Sequence, residues 1–109
     1  FLYVEDFVEG LLLAFEQVEG FSPLNIASGE PVTIREVLGT VLEVADYREA
    51  LVEYDASQPT MIPQRMIDIC LMRDLTGWVP KTSLTAGIKK TVEWYRATYA
   101  TKTPEGLKL

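Results

Sequence analysis

One apolar pattern near the start of the chain constrains the fold more than any other feature. Hydrophobic residues recur three and four positions apart, at Val4, Phe7, Val8, Leu11, Leu12, Phe15 and Val18. This spacing places their side chains on one face of an α-helix. Leu13 and Ala14 widen that face, so we expect burial on more than one side of the helix. Gly10 costs the helix about 1 kcal/mol relative to alanine, which indicates a close packing contact at this position.

Three further helices are predicted from their start and stop signals. Thr33 and Glu36 have the spacing of a capping box and open a helix that continues to position 45. A short helix is expected over residues 69–76, ended by Gly77 as a left-handed C-cap. Ser83 is expected to cap a final helix, whose apolar residues recur at helical spacing up to position 99.

Short strands are predicted between the helices. The segments rich in β-branched, aromatic and other apolar residues are 1–4, 24–27, 51–54 and 66–67. A chain of 109 residues has room for one domain with a modest core. The sequence therefore predicts an α/β fold of about four helices with short strands, in one domain over residues 1–100 and a flexible tail over 101–109.

The composition argues against several classes of function. The net charge is −6 and the ten Lys and Arg residues are scattered, which disfavours binding to nucleic acid or to an anionic membrane surface. The longest apolar run, Leu11 to Phe15, is too short to span a bilayer. A single cysteine, Cys70, excludes an internal disulfide and fits a reducing compartment. The expected location is therefore the cytoplasm.

The chain lacks the usual residues of a self-sufficient catalyst. It contains no histidine, so no Ser–His or Cys–His pair can form, and a zinc or iron–sulfur site is disfavoured. The glycines are too far apart to build a dinucleotide-binding loop or a P-loop. Cys70 has no sequence neighbour that would lower its pKa, and we interpret it as a small buried or capping residue.

Other polar and aromatic residues have structural interpretations. Glu5, Asp6 and Glu9 are expected to serve the dipole of the first helix and solubility. We interpret Trp78 and Trp94 as anchors of the core or of an interface.

Arg65 is the candidate binding residue. It follows a loop that Pro59 and Pro63 stiffen, and an arginine on a firm backbone suits bidentate recognition of a phosphate. A surface ion pair with Asp68 explains the same residue equally well. The chemistry of the sequence leaves both interpretations open.

Six segments occur together in an order and spacing that resembles one known family. They are FLYVED at 1–6, NIASG at 25–29, VTIRE at 32–36, PQRMID at 63–68, GWVPKTSL at 77–84 and TVEWY at 91–95. Together they resemble the carboxy-terminal part of the NAD-dependent epimerase/dehydratase family, the extended short-chain dehydrogenases that act on nucleotide sugars. Residues 55–68 are most similar to the GDP-L-fucose synthase branch, although Thr60 and Met61 stand where that loop usually has Asp-Gly.

The resemblance implies a carboxy-terminal segment without its Rossmann core. In the family, the glycine-rich cofactor loop and a catalytic Tyr-x-x-x-Lys precede this part, and none of the five tyrosines here is followed four residues later by lysine. The chain is therefore expected to be inactive alone and to bind no cofactor itself, with NAD or NADP belonging to the intact parent. Arg65 matches the basic position that the family uses against the diphosphate of a nucleoside diphosphate sugar.

The same resemblance predicts surface that lacks a partner. Without the Rossmann domain, the apolar residues at positions 11, 12, 13 and 15 and a strand edge should be exposed, so we expect self-association. One alternative function is a non-catalytic acidic interaction module that docks a partner through the first helix. Another is a stand-alone nucleotide-sugar binder. The sequence leaves open the sugar, the nucleoside, NAD against NADP, and epimerisation against dehydration or reduction.

Overall fold

The structure, a computed structural model, describes residues 1–55, 57 and 66–99. It contains four helices: α1 (Val4–Gln17), α2 (Ile34–Val44), α3 (Cys70–Thr76) and α4 (Leu84–Tyr99). All four predicted helices are confirmed, and α3 begins one residue later than predicted. The predicted tail and most of the loop before Arg65 lie outside the described residues. No described helix is long and apolar enough to cross a membrane.

The prediction of short strands is not confirmed. Residues 1–55, 57 and 66–99 contain no β-strand, and the last residue of the first predicted strand, Val4, instead begins α1. β-Branched and aromatic residues favour a strand only when a neighbouring strand completes the ladder of backbone hydrogen bonds. These segments do not form such a ladder with one another. The described part of the chain therefore consists of helices joined by irregular segments, and not of the predicted α/β arrangement.

The described residues form two compact units. The first takes in residues 1–32 and 66–84 and contains α1 and α3. The second takes in residues 33–55, 57 and 85–99 and contains α2 and nearly all of α4. The expected division into a domain over residues 1–100 and a tail stays a prediction.

The core of the first unit lies where α1 contacts α3. Met72 of α3 is completely buried, and Trp78, just after α3, is 3% exposed. A Cβ atom added at Gly10 would lie 2.9 Å from Cε2 of Trp78 and 3.1 Å from Cγ2 of Ile26. The close contact predicted at Gly10 is therefore confirmed, and Trp78 is the core anchor that the sequence predicted.

Both ends of α2 are closed by local hydrogen bonds. At the start, Thr33 Oγ1 accepts from the Glu36 amide at 3.2 Å, and the Glu36 carboxylate accepts from the Thr33 amide at 2.7 Å, which confirms the capping box. The hydrogen bond from the Thr33 backbone lowers the pKa of Glu36. The ionised Glu36 carboxylate therefore contributes its full stabilisation above the ordinary carboxyl pKa of 4.5. This stabilisation is lost as the pH falls through the lowered pKa of Glu36 in the folded chain.

The end of α2 uses a residue that the sequence did not single out. Asp46 has a φ of 53° and occupies the left-handed position that glycine usually takes. The Tyr47 amide donates to the Leu42 carbonyl at 2.9 Å, and the Asp46 amide donates to the Glu43 carbonyl at 3.1 Å. These two bonds form a Schellman motif. The guanidinium of Arg96 donates to the Ala45 carbonyl at 2.7 Å and joins α4 to this end of α2.

Trp94 of α4 differs from the other tryptophan. Its side chain is 58% exposed, and its ring meets that of Tyr99 edge to face with centroids 5.8 Å apart. Trp94 is therefore not a core residue of the described chain. The interface part of its interpretation stays a prediction.

Candidate functional site

The inner side of α1 is held by a buried carboxylate. Asp6 is 5% exposed, and its two carboxylate oxygens accept from the Thr82 amide at 2.9 Å and from Thr82 Oγ1 at 3.1 Å. One turn further along, the Glu9 carboxylate forms an ion pair with the ammonium group of Lys81. Asp6 lies in the first turn of α1, as the helix-dipole interpretation predicted, but its burial contradicts a role in solubility. Asp6 and Glu9 attach α1 to the segment that follows Trp78.

The other side of α1 carries an exposed apolar surface. Its residues are each at least 43% exposed, and we call them the α1 apolar face: Val4, Phe7, Val8, Leu11, Leu12 and Phe15. Phe15 is 87% exposed, while Leu13 is half-buried. The predicted exposure of the apolar series is confirmed at positions 11, 12 and 15. A contiguous apolar surface of this kind is typical of an interface.

Arg65, the predicted binding residue, lies outside the described residues. The segment that follows it is described from Met66, whose side chain is 67% exposed, and Ile67, whose side chain is 42% exposed. Neither residue belongs to a helix or a strand. The position of this segment therefore depends on the contacts of the residues that come next.

Residues 68–70 form an anchor, which we call the 68–70 anchor. The side-chain amide of Asn25 donates to the Asp68 carbonyl at 3.0 Å. The Asp68 carboxylate accepts from the Cys70 amide at 2.8 Å, where α3 begins. The side chain of Ile69 packs against Gly29, where an added Cβ atom would be 3.2 Å from Ile69 Cδ1. The sequence analysis did not single out Asn25 as a functional residue. The one indication in the sequence is its carboxamide, which lies between the apolar residues 24 and 26.

The groups at this anchor disfavour the thiolate form of Cys70. A hydrogen bond with Asp68, and the charge of that residue, raise the pKa of the Cys70 thiol. The hydrogen bond from the Cys70 backbone lowers the pKa of Asp68. Cys70 is exposed, and Asp68 supplies the hydrogen bond at the helix start, so the interpretation of Cys70 as a buried or capping residue is wrong. A thiol with a raised pKa is a poor nucleophile at neutral pH.

The described residues do not fit a nicotinamide dinucleotide. Such a cofactor places its pyrophosphate at a helix N-terminus directly after a glycine-rich turn. The described helices α1, α2 and α3 instead follow Tyr3, Thr33 and Ile69. No reaction step through the cofactor follows from these residues.

The chain is similar to a set of enzymes named for nucleotide sugars, although no family model matches it. GDP-L-fucose synthase 1 of Arabidopsis thaliana is 35% identical over 95 residues, which are 87% of this chain and 29% of that protein. GDP-L-fucose synthase of Escherichia coli is 35% identical over 74 residues, which are 68% of this chain and 22% of that protein. The chain resembles the carboxy-terminal part of the NAD-dependent epimerase/dehydratase family.

A third relative from the family is named for a different nucleotide. The dTDP-4-dehydro-6-deoxy-D-allose reductase of a Streptomyces species is 32% identical over 96 residues, which are 88% of this chain and 28% of that protein. The chain corresponds to the carboxy-terminal part of its relatives and spans less than a third of their length. The predicted resemblance is thereby confirmed. The alternative of a non-catalytic interaction module is not favoured by these similarities.

Proposed function

We propose that the chain is the substrate-side segment of an NAD(P)-dependent nucleotide-sugar reductase or epimerase of the GDP-L-fucose synthase type. The similarity to GDP-L-fucose synthases over 87% of the chain carries this proposal. The cofactor and the hydride-transfer residues would belong to other parts of the intact protein, so this chain would be inactive alone. The single cysteine fits the reducing conditions of the cytoplasm, where we place the protein.

Within this segment, we propose that Arg65 contacts the diphosphate of a nucleoside diphosphate sugar. A guanidinium is always charged and presents donors in a fork that matches phosphate oxygens. The chain carries a net charge of −6, so an anionic ligand needs a cation at the point of contact. Asp68, the competing partner for Arg65, already accepts a hydrogen bond from the Cys70 amide. The carboxylate keeps further acceptor positions, so this bond is compatible with either interpretation of Arg65, and the resemblance carries the proposal.

Changing Arg65 to Ala in the full-length protein should raise the KM for the nucleotide sugar about tenfold, because one charge-assisted contact is lost. Affinity for the nicotinamide cofactor should stay the same. Steady-state kinetics and cofactor titration measure the two effects. The matched control is Arg73→Ala, which removes the same charge from an arginine paired with Asp74 on α3. If Arg65→Ala leaves substrate binding unchanged, the assignment is contradicted.

We further propose that the isolated chain self-associates through the α1 apolar face. Covering several exposed apolar side chains with a second copy of the chain is favourable, because it removes apolar surface from water. Exchange of elements between two copies is one route to such a dimer. Sedimentation at tens of micromolar should show species larger than a monomer. Replacing both Leu11 and Phe15 with Lys should restore the monomer. A monodisperse monomer of the unchanged chain would contradict the proposal.

A further inference from the structure

We infer that one buried water molecule bridges the indole N–H of Trp78 to the carboxylate of Asp6. This water site lies within the first unit and does not depend on the proposed function. The bound water would be part of the attachment of α1 to the segment that follows α3.

Trp78 has a buried polar atom that lacks a partner. The residue is 3% exposed, and its Nε1 has no hydrogen-bond partner in the part of the chain that the structure describes. An indole N–H can only donate, and a buried donor left unpaired costs more free energy than one net hydrogen bond contributes. Phenylalanine would fill the same core without this cost. The tryptophan at this position therefore calls for an acceptor.

Asp6 is a buried acceptor that can take further hydrogen bonds. It is 5% exposed, and its carboxylate accepts from the amide and the hydroxyl of Thr82. An ionised carboxylate offers about four lone-pair sites, so about two of them remain. Lys81, next to Thr82 in the chain, pairs with Glu9 instead. Because a buried charge is costly unless other groups compensate it, Asp6 gains from a further donor.

The indole N–H and this carboxylate lie on the same side of α1. Asp6 and Gly10 are the two buried residues of the helix and are four positions apart. Residues at this spacing lie above one another, with Cβ atoms about 5–6 Å apart. A Cβ atom added at Gly10 would be 2.9 Å from Trp78 Cε2, the ring carbon bonded to Nε1. Two successive hydrogen bonds through one water span about 5–6 Å, which matches one helical turn.

The chemistry of the two groups selects water as the ligand. Water accepts from the indole N–H through a lone pair and donates to the carboxylate through an O–H group. A metal cation cannot accept from an N–H group, and an anion would be repelled by the charge of Asp6. Buried water typically makes about three hydrogen bonds to polar groups that would otherwise be unpaired.

A crystal structure of the full-length protein, at a resolution that shows ordered water, tests this site directly. We expect one water within about 3.2 Å of both Trp78 Nε1 and a carboxylate oxygen of Asp6. Three results would each overturn the inference: a protein acceptor bonded to Nε1, a water bonded to Trp78 alone, or no water between the two groups.

Nuclear magnetic resonance of the full-length protein, with isotope-labelled tryptophan, tests the same site in solution. We expect a cross-peak between water and the indole proton of Trp78, with the sign of a long-lived contact. Trp94 is the matched control, because its side chain is 58% exposed and meets only rapidly exchanging water. Trp78→Phe and Trp94→Phe assign the two signals. No cross-peak at Trp78 would overturn the inference.

A pair of variants on α1 tests the role of Asp6. Asp6→Leu removes the carboxylate at similar size and should abolish the cross-peak at Trp78. Glu9→Leu removes a carboxylate that is paired with Lys81 and should leave the cross-peak unchanged. A cross-peak that survives Asp6→Leu would show that Asp6 does not hold the water and would overturn the inference. If Asp6→Leu does not fold, the crystal structure and the spectrum of the unchanged protein decide.

Discussion

Changing Asp6 to Asn should lower the free energy of unfolding by about 2–3 kcal/mol. The carboxylate is 5% exposed and accepts two hydrogen bonds from Thr82, one from the amide and one from the hydroxyl. Asparagine has the same shape but only one acceptor oxygen, so it would present an NH2 group to one of the two donors. That donor would then be left without a partner in a partly buried place, which costs more than the bond itself is worth.

Urea denaturation followed by tryptophan fluorescence measures this loss, since Trp78 is buried in the same unit. The matched control is Glu9→Gln, one turn along α1. Its ion pair with Lys81 joins side chains that are 40% and 67% exposed, so we expect a change below about 0.5 kcal/mol. Thr82→Val removes only the hydroxyl donor, so its loss of unfolding free energy should lie between those of Asp6→Asn and Glu9→Gln. Equal effects of Asp6→Asn and Glu9→Gln would contradict a special role for the buried carboxylate.

Changing Gly10 to Ala should lower the free energy of unfolding by about 2 kcal/mol, although alanine is the better helix former. The new Cβ atom would lie 2.9 Å from Trp78 Cε2 and 3.2 Å from Cζ2, and an aromatic ring cannot bend away. Ile26 lies 3.1 Å away on the same side. The cost of pushing apart α1 and the indole therefore exceeds the gain of about 1 kcal/mol in helix propensity.

Gly39→Ala is the control, and it should raise the free energy of unfolding instead of lowering it. Gly39 lies within α2, is exposed, and has no atom within 4 Å of an added Cβ. Only the difference in helix propensity between glycine and alanine acts there, so we expect the free energy of unfolding to rise by about 1 kcal/mol. The two variants should therefore differ by about 3 kcal/mol in the same denaturation experiment. A gain at both positions would show that the contact between Gly10 and Trp78 does not restrict the chain in solution.

The helices were predictable because their signals are local. The apolar series of α1, the capping box of Thr33 and the C-cap of Gly77 all act within a few residues, and the structure has each of them. Asp46 was missed because glycine is the usual residue at its left-handed position. The prediction of strands was not confirmed, because it depends on distant residues: β-propensity has an effect only where a partner strand is present.

The candidate site was predictable only in part. The resemblance led to Arg65, which lies outside the described residues. Asn25 and Asp68 are 43 residues apart, so no pattern in either segment indicates that they share a hydrogen bond. The same holds for Asp6, whose partner Thr82 lies 76 residues away. In the sequence, Asp6 differs little from Glu5, and only the packing of α1 on the segment after Trp78 buries one and leaves the other exposed.

Local sequence decided the positions of the four helices and, through six ordered segments, the family that the chain resembles. These features depend on residues that are near one another in the chain, where propensity and spacing act directly. Tertiary structure alone decided which side of α1 faces inward. The apolar series places Leu11 and Phe15 on one face of α1, whereas Asp6 and Gly10 are the buried residues on its inner side. The reason is physical: the indole of Trp78 admits only a glycine, and Thr82 offers two donors that a carboxylate can satisfy.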